Sequence, residues 1–89
     1  MNNKQKEVLD ITQEECAEVI VAISKISRFG IDNIKPDKPK TNREHLAEEL
    51  GDLQCMIDLL IGTGMVTQEE LDVAKQAKRE KLINWSNIK

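Results

Sequence analysis

Residues 46–60 read LAEELGDLQCMIDLL, and this stretch largely decides the expected fold. Its apolar residues recur every three or four positions, which is the spacing of an amphipathic α-helix. On a helix that turns about 100° per residue, Leu53, Met56 and Leu60 fall within ~40° of Glu49, and Asp52 lies ~60° to one side. One acid therefore stands inside an apolar stripe and a second stands beside it.

A second stretch, residues 14–26 with the sequence EECAEVIVAISKI, repeats this arrangement. Val8 and Ile26 fall within ~20° of Glu15 on a helical projection, and Glu18 lies ~60° away in the same sense as Asp52 does from Glu49. Residues at i and i+3 are neighbours on a helix, so the two acids of each pair can reach one point. The faces that carry them are those expected to pack together.

The surrounding sequence predicts one all-α domain over residues 1–89, a bundle of three main helices. The predicted helices run from about residue 4 to 29, from 42 to 62 and from 67 to 82. A break in the first helix near residues 10–12 is an alternative to one continuous helix. Thr41 with Glu44, and Thr67 with Glu70, have capping-box spacing at the second and third helix starts. Gly30 supplies a helix stop, and the two prolines of the 30–42 segment indicate a loop.

Composition narrows the class of protein. The chain has 89 residues, 39% of them hydrophobic, and a net charge of -3. So small a core favours completion by homo-oligomerisation, as a dimer or tetramer. A chain that is not basic is not expected to bind nucleic acid, and no apolar run is long enough to span a membrane. Without a signal-peptide pattern the expected location is the cytoplasm, where Cys16 and Cys55 would be reduced, small core residues.

Four acids gathered where two apolar faces meet need a counter-charge. Uncompensated buried charges cost several kcal/mol per ion, and only Lys25 and His45 lie near these faces. An all-oxygen set without thiols favours Mg²⁺, with Mn²⁺ as a substitute. Since protein-bound Mg²⁺ commonly bridges to phosphates, a phosphorylated substrate is expected. The alternative is a non-catalytic helical module that binds metal, or one that serves as a scaffold or regulator with merely solvated acids.

The two acidic motifs resemble the EExxE…ExxD signature of the MazG-like, all-α nucleoside triphosphate pyrophosphohydrolases. Residues 14–18 match its first half and residues 48–52 its second. Residues 78–86, KREKLINWS, resemble the ending of small bacteriophage-type members, which would place the protein in a host cytoplasm. The resemblance implies a helical bundle of two or more subunits. It also implies Mg²⁺-dependent water attack at the α-phosphate, which releases pyrophosphate and controls nucleotide pools.

The resemblance also assigns roles to individual residues. It implies metal ligation by Glu15, Glu18, Glu49 and Asp52. Glu14 and Glu48 would hold outer-shell waters, or one of them would act as the base. The candidates for contact with a nucleoside triphosphate, dGTP or another dNTP, are Lys25, His45, Lys78, Lys81 and Trp85. Each has a plainer reading: solvated lysines, a histidine at the rim of the site, and a tryptophan that pins the bundle or the dimer.

Overall fold

The computed structural model describes residues 1–35, 37 and 39–88. It contains three α-helices: α1, Asn3–Phe29; α2, Asn42–Gly62; and α3, Gln68–Trp85. In this described part, the one pairing of extended backbone is an isolated bridge between Ile34 and Thr41. The predicted all-α class is confirmed. None of the described helices combines the length and the apolar character that crossing a membrane requires.

Each helix begins with a capping box, in which two backbone N–H groups are satisfied by side chains. Thr41 accepts a hydrogen bond from the Glu44 N–H, and the Glu44 carboxylate accepts one from the Thr41 N–H. Residues 67 and 70 do the same for α3, as predicted. A third box, between Asn2 and Gln5, starts α1 and was not predicted. These caps fix the helix starts, since the first-turn N–H groups have no partner within the helix.

Helix α1 is continuous over 27 residues, so the break considered near residues 10–12 is wrong. The hydroxyl of Thr12 donates to the Val8 carbonyl at 2.7 Å. The polar side chain therefore bonds back into its own helix instead of drawing the backbone out of it. Gly30 ends α1 as predicted, with a φ of +95° that a side chain would disfavour.

Helices α1 and α2 form an antiparallel pair that is tied at both ends. At one end, the Gln5 side-chain amide donates to the Thr63 carbonyl at 2.9 Å. At the other, the buried Asn42 amide donates to the Gly30 carbonyl at 2.8 Å and approaches that of Lys25 at 3.4 Å. Asn42 thus satisfies the carbonyl of Gly30, which lies just past the end of α1 and has no partner within that helix.

The core of a single chain is small. Among the described residues, its buried apolar side chains are Val8, Ala22 and Met56, all on the α1–α2 pair. The chain measures 43 × 38 × 14 Å, and its radius of gyration is 16.0 Å. A compact domain of this length would have a radius of about 12 Å. Helix α3 buries none of its residues and projects from the pair.

The two cysteines depart from expectation in one respect. Both are free, but both are exposed rather than in the core. On the helical projection, Cys16 lies ~100° from Glu15 and Cys55 lies ~120° from Glu49, so neither side chain points into the seam between α1 and α2. The general tendency of cysteine to be buried misled the prediction.

Candidate metal centre

Three of the predicted acids converge between α1 and α2. Glu15 of α1 and Glu49 and Asp52 of α2 each place one carboxylate oxygen within 4.8 Å of the others. Glu15 and Glu49 are half-buried and Asp52 is exposed. The cluster therefore lies at the edge of the helix seam and is open to solvent on one side.

Helix geometry explains why the acids share one side. Asp52 follows Glu49 by three residues, and Glu18 follows Glu15 by three residues. Each step is a rotation of ~60° about the helix axis, in the same sense on both helices. Because α1 and α2 run antiparallel, the same sense of rotation on both helices leads to the same side of the pair. We call this the acid side, defined by Glu18 and Asp52.

The opposite sense of rotation leads to a different surface. Ile20, Ile23 and Leu50 lie ~80–140° away from the central glutamates in that sense. All three are exposed in the single chain, Ile20 to 68%. We call this the apolar side, defined by these three residues. The α1–α2 pair thus has two unlike sides.

Glu15 is the least satisfied member of the cluster. Its Oε2 atom is buried and has no hydrogen-bond partner within the described part of the chain. Burial raises the pKa of Glu15 above its ordinary value, and the carboxylates of Asp52 and Glu49 raise it further. The site therefore disfavours a third negative charge unless a cation or a proton joins it.

Two basic side chains lie next to the acids. His45 Nε2 is 3.3 Å from Glu49 Oε1 across one turn of α2. The Lys40 ammonium donates to the Glu48 carboxylate, and this contact raises the pKa of Lys40. The Lys40 contact was not predicted, since its two residues are eight positions apart and joined through a loop. Within the described residues, these two side chains pair with Glu48 and Glu49 and not with Glu15.

The remaining predicted acids lie around the cluster. Glu18 is exposed and falls outside the group of three, although its charge also raises the pKa of Glu15. Glu14 is exposed one residue before Glu15 and acts on it in the same direction. Glu48 is exposed and is held by Lys40.

The predicted substrate-binding residues are distributed over all three helices. Lys25 is half-buried near the end of α1, and His45 contacts Glu49. Lys78 lines a groove of about 680 Å³ between α2 and α3, whose lining includes none of the acidic-motif residues. Lys81 and Trp85 are exposed on α3, Trp85 to 86%.

The loop before α2 is held at its two ends. Arg43 N–H donates to the Ile31 carbonyl at 2.9 Å, and Asn42 N–H to that of Asn33 at 3.0 Å. Two lysines of this loop have a described position: Lys40 contacts Glu48, and Lys35 is half-buried. Lys38 lies outside the described residues.

The donor set suits a hard divalent cation. It offers carboxylate oxygens only, from two helices whose ends are fixed, and one of those oxygens is buried without a partner. Mg²⁺ and Mn²⁺ prefer such ligands, and Mg²⁺ keeps several waters or substrate oxygens beside one or two carboxylates. A cation at this place would remove the electrostatic penalty on Glu15.

Comparison with known proteins identifies the family of the chain. The family model described as the MazG nucleotide pyrophosphohydrolase domain matches residues 3–84. The match covers α1 and α2 completely, α3 up to its last residue but one, and both acidic motifs. No curated protein and no solved structure matches the chain significantly.

Proposed function

The chain belongs to the MazG family of nucleotide pyrophosphohydrolases, and from this premise we propose that it hydrolyses a nucleoside triphosphate to the monophosphate and pyrophosphate. The reaction depends on Mg²⁺, for which Mn²⁺ can substitute. The observation that carries the proposal is the three-carboxylate cluster with its buried, unpartnered Glu15 oxygen. In this proposal the whole chain, residues 1–89, acts as one domain in the cytoplasm.

The proposed metal ligands are Glu15, Glu49 and Asp52, together with Glu18. The first three already place oxygens near one point, and Glu18 projects on the same acid side one turn from Glu15. Glu18 completes the set by a change of side-chain rotamer, which an exposed glutamate makes at little cost. Bound Mg²⁺ would neutralise the triphosphate and make water a better nucleophile at neutral pH.

The remaining chemistry belongs to the chain. Water oxygen bonds to the α-phosphorus, and the bond from that phosphorus to its bridging oxygen breaks, so pyrophosphate leaves. A carboxylate accepts the proton of the water, and Glu14 and Glu48 are the proposed holders of that water.

The proposed substrate is a deoxynucleoside triphosphate such as dGTP. Its phosphates need cations, and the candidates are Lys25, Lys78 and Lys81. Trp85 offers a flat surface for stacking of the base and is almost fully exposed in the single chain. Lys78, Lys81 and Trp85 lie on α3, the helix that packs least on the others. These three residues therefore reach the acids most readily across a subunit boundary.

A homodimer or homotetramer is part of the proposal. The accessible surface of the single chain is 6940 Å², whereas a compact monomer of this mass exposes about 5,300 Å². The excess is on the scale of a stable protein–protein interface, which buries about 800 Å² per partner. The apolar side and the projecting α3 supply the surface that a second copy would cover.

The test is a panel of all ribonucleoside and deoxyribonucleoside triphosphates with Mg²⁺, in which pyrophosphate and orthophosphate are measured separately. We expect pyrophosphate with at least one substrate, and none without the metal. Release of orthophosphate alone would contradict the proposal. Metal binding without any hydrolysis would favour the alternative of a non-catalytic metal-binding module.

A further inference from the structure

The contact between His45 and Glu49 assigns His45 a role that its place in the sequence does not reveal. We propose that His45 is a positioning residue: it holds the Glu49 carboxylate in the orientation in which that side chain binds the divalent cation. This inference rests on the proposed function, in which Glu49 is a metal ligand. It differs from the expectation that His45 contacts the substrate.

The geometry favours a fixed contact. His45 and Glu49 are one helical turn apart, and Nε2 lies 3.3 Å from Oε1. Their side chains are only 23% and 13% exposed. The other cation–acid pair beside the cluster, Lys40 with Glu48, is half-exposed on both partners and joins a loop to the helix. Of the two contacts, the one between His45 and Glu49 is less accessible to water molecules that could replace it.

Electrostatic repulsion among the clustered acids gives the contact between His45 and Glu49 a function. One carboxylate oxygen of Glu49 lies within 4.8 Å of one oxygen from Glu15 and one from Asp52. Like charges this close repel, and a glutamate has enough rotatable bonds to swing into solvent. His45 opposes that movement, because its Nε2 lies beside one carboxylate oxygen, where an N–H on that nitrogen would attract the oxygen and leave lone pairs on the carboxylate for a metal. Partners of this kind are common behind metal-binding carboxylates.

The matched variants are His45→Gln and His45→Met. Both side chains are unbranched, similar in length and good helix formers, but only glutamine retains an N–H donor. The control is Arg43→Gln, which removes an exposed positive charge two residues away without touching Glu49. Affinity for Mn²⁺ is measured by calorimetry on the nucleotide-free protein at pH 8, where an ordinary imidazole is largely neutral.

We expect His45→Met to weaken Mn²⁺ binding by about 10-fold, the lower range for loss of a partner behind a metal ligand. His45→Gln and Arg43→Gln should stay close to the wild-type affinity. In the hydrolysis assay, saturating Mn²⁺ should restore most of the kcat of His45→Met and leave its KM for the nucleotide unchanged. If His45 only maintained the fold, the N–H donor of glutamine would not be what preserves the affinity for Mn²⁺.

Four results would overturn the inference. In the first, His45→Met binds Mn²⁺ as tightly as the wild type. In the second, glutamine is no better than methionine, and in the third, Arg43→Gln is as weak as His45→Met. In the fourth, KM for the nucleotide rises at saturating Mn²⁺ while metal affinity is unchanged, which would make His45 a substrate contact. If the wild type itself binds no divalent cation, the proposed function fails together with this inference.

Discussion

The two sides of the α1–α2 pair are built by the same helical repeat but meet different requirements. The acid side gathers carboxylates whose charges raise the pKa of Glu15, and Glu15 also carries the buried oxygen without a partner. The apolar side leaves Ile20, Ile23 and Leu50 in water. In the proposed function the acid side binds a cation, and the apolar side packs on a second copy of the chain. The comparison teaches that the two sides are suited to different partners.

These requirements are independent in principle. The acid side depends on charges held by two helices that are tied at both ends, so a metal could bind to one chain alone. The apolar side depends on area removed from water, about 25 cal/mol for each Å² of apolar surface. Changes to one side should therefore leave the other function measurable, and the following experiments use that separation.

The largest expected effect is on the acid side. Glu49→Gln removes a charged oxygen donor from the centre of the cluster while keeping the shape of the side chain. We expect hydrolysis to fall by about 100-fold or more, since loss of a partner behind a ligand already costs 10–100-fold. The rise in Tm on addition of Mg²⁺ should disappear.

The matched control for this change is Glu80→Gln, an exposed acid on α3. It should keep both activity and the response to Mg²⁺. If Glu49→Gln retains hydrolysis and metal binding, the assignment of the metal site is wrong.

The second effect is on the apolar side. Ile20→Glu places a charge on a surface that the proposed oligomer buries, and burial of one isoleucine is worth about 1.5–3 kcal/mol. We expect subunit association to weaken by about 10-fold to 100-fold. Sedimentation or light scattering over a range of concentrations measures the change. Val21→Glu, the same kind of change on the next residue but away from the apolar side, should associate normally; equal losses in both variants would remove the apolar side as the interface.

The third effect is on the hydrogen bond that joins the start of α2 to the residue after α1. Asn42→Ala removes the buried amide that donates to the Gly30 carbonyl, and leaves that carbonyl without the partner. We expect the free energy of unfolding to fall by about 1–3 kcal/mol, as measured by urea denaturation. Asn3→Ala is the control, because Asn3 is also the first residue of a helix but is exposed. A loss of similar size there would point to helix propensity rather than to this hydrogen bond.

The smallest effect concerns the charge on Glu15. Because its pKa is raised on folding, the folded protein binds more protons than the unfolded one just above the ordinary glutamate pKa of about 4.3. Stability of the metal-free protein therefore falls as pH rises through this window and stays lowered above it. Glu15→Gln should remove this slope, raise the metal-free Tm at pH 7 and abolish the gain from Mg²⁺.

Thermal denaturation between pH 4 and pH 8, with and without Mg²⁺, measures both expectations. Glu14→Gln, an exposed change one residue away, should keep most of the slope, because Glu14 is the smallest of the causes that raise the pKa of Glu15. A metal-free Tm that falls in Glu15→Gln would mean that the carboxylate stabilises the fold and is not under electrostatic strain.

Much of the fold could be predicted because its signals are local. The capping boxes at Thr41 and Thr67 lie within four residues of sequence, and Gly30 ends α1 without help from elsewhere. The break considered near residues 10–12 was a wrong prediction. The Thr12 hydroxyl bonds back to the Val8 carbonyl within the helix, and the spacing of apolar residues does not reveal that contact.

The site could be predicted in part. Periodicity alone indicated that Glu15 and Glu49 face each other with Glu18 and Asp52 beside them. It did not indicate that Glu18 would lie outside the group of three, because rotamers are not encoded in spacing. Asn42 and Lys40 escaped prediction for a related reason: their partners are distant in sequence, and both are polar residues of ordinary loop composition.

The sequence by itself determined three helices, their caps and the placement of acids within apolar stripes, because a helix converts spacing into direction without any tertiary contact. Only the tertiary structure decided that α1 and α2 run antiparallel with their acids on one side, that His45 contacts Glu49, and that α3 stands away from the pair. These features depend on how two surfaces orient each other, and a linear pattern of polarity does not specify that orientation.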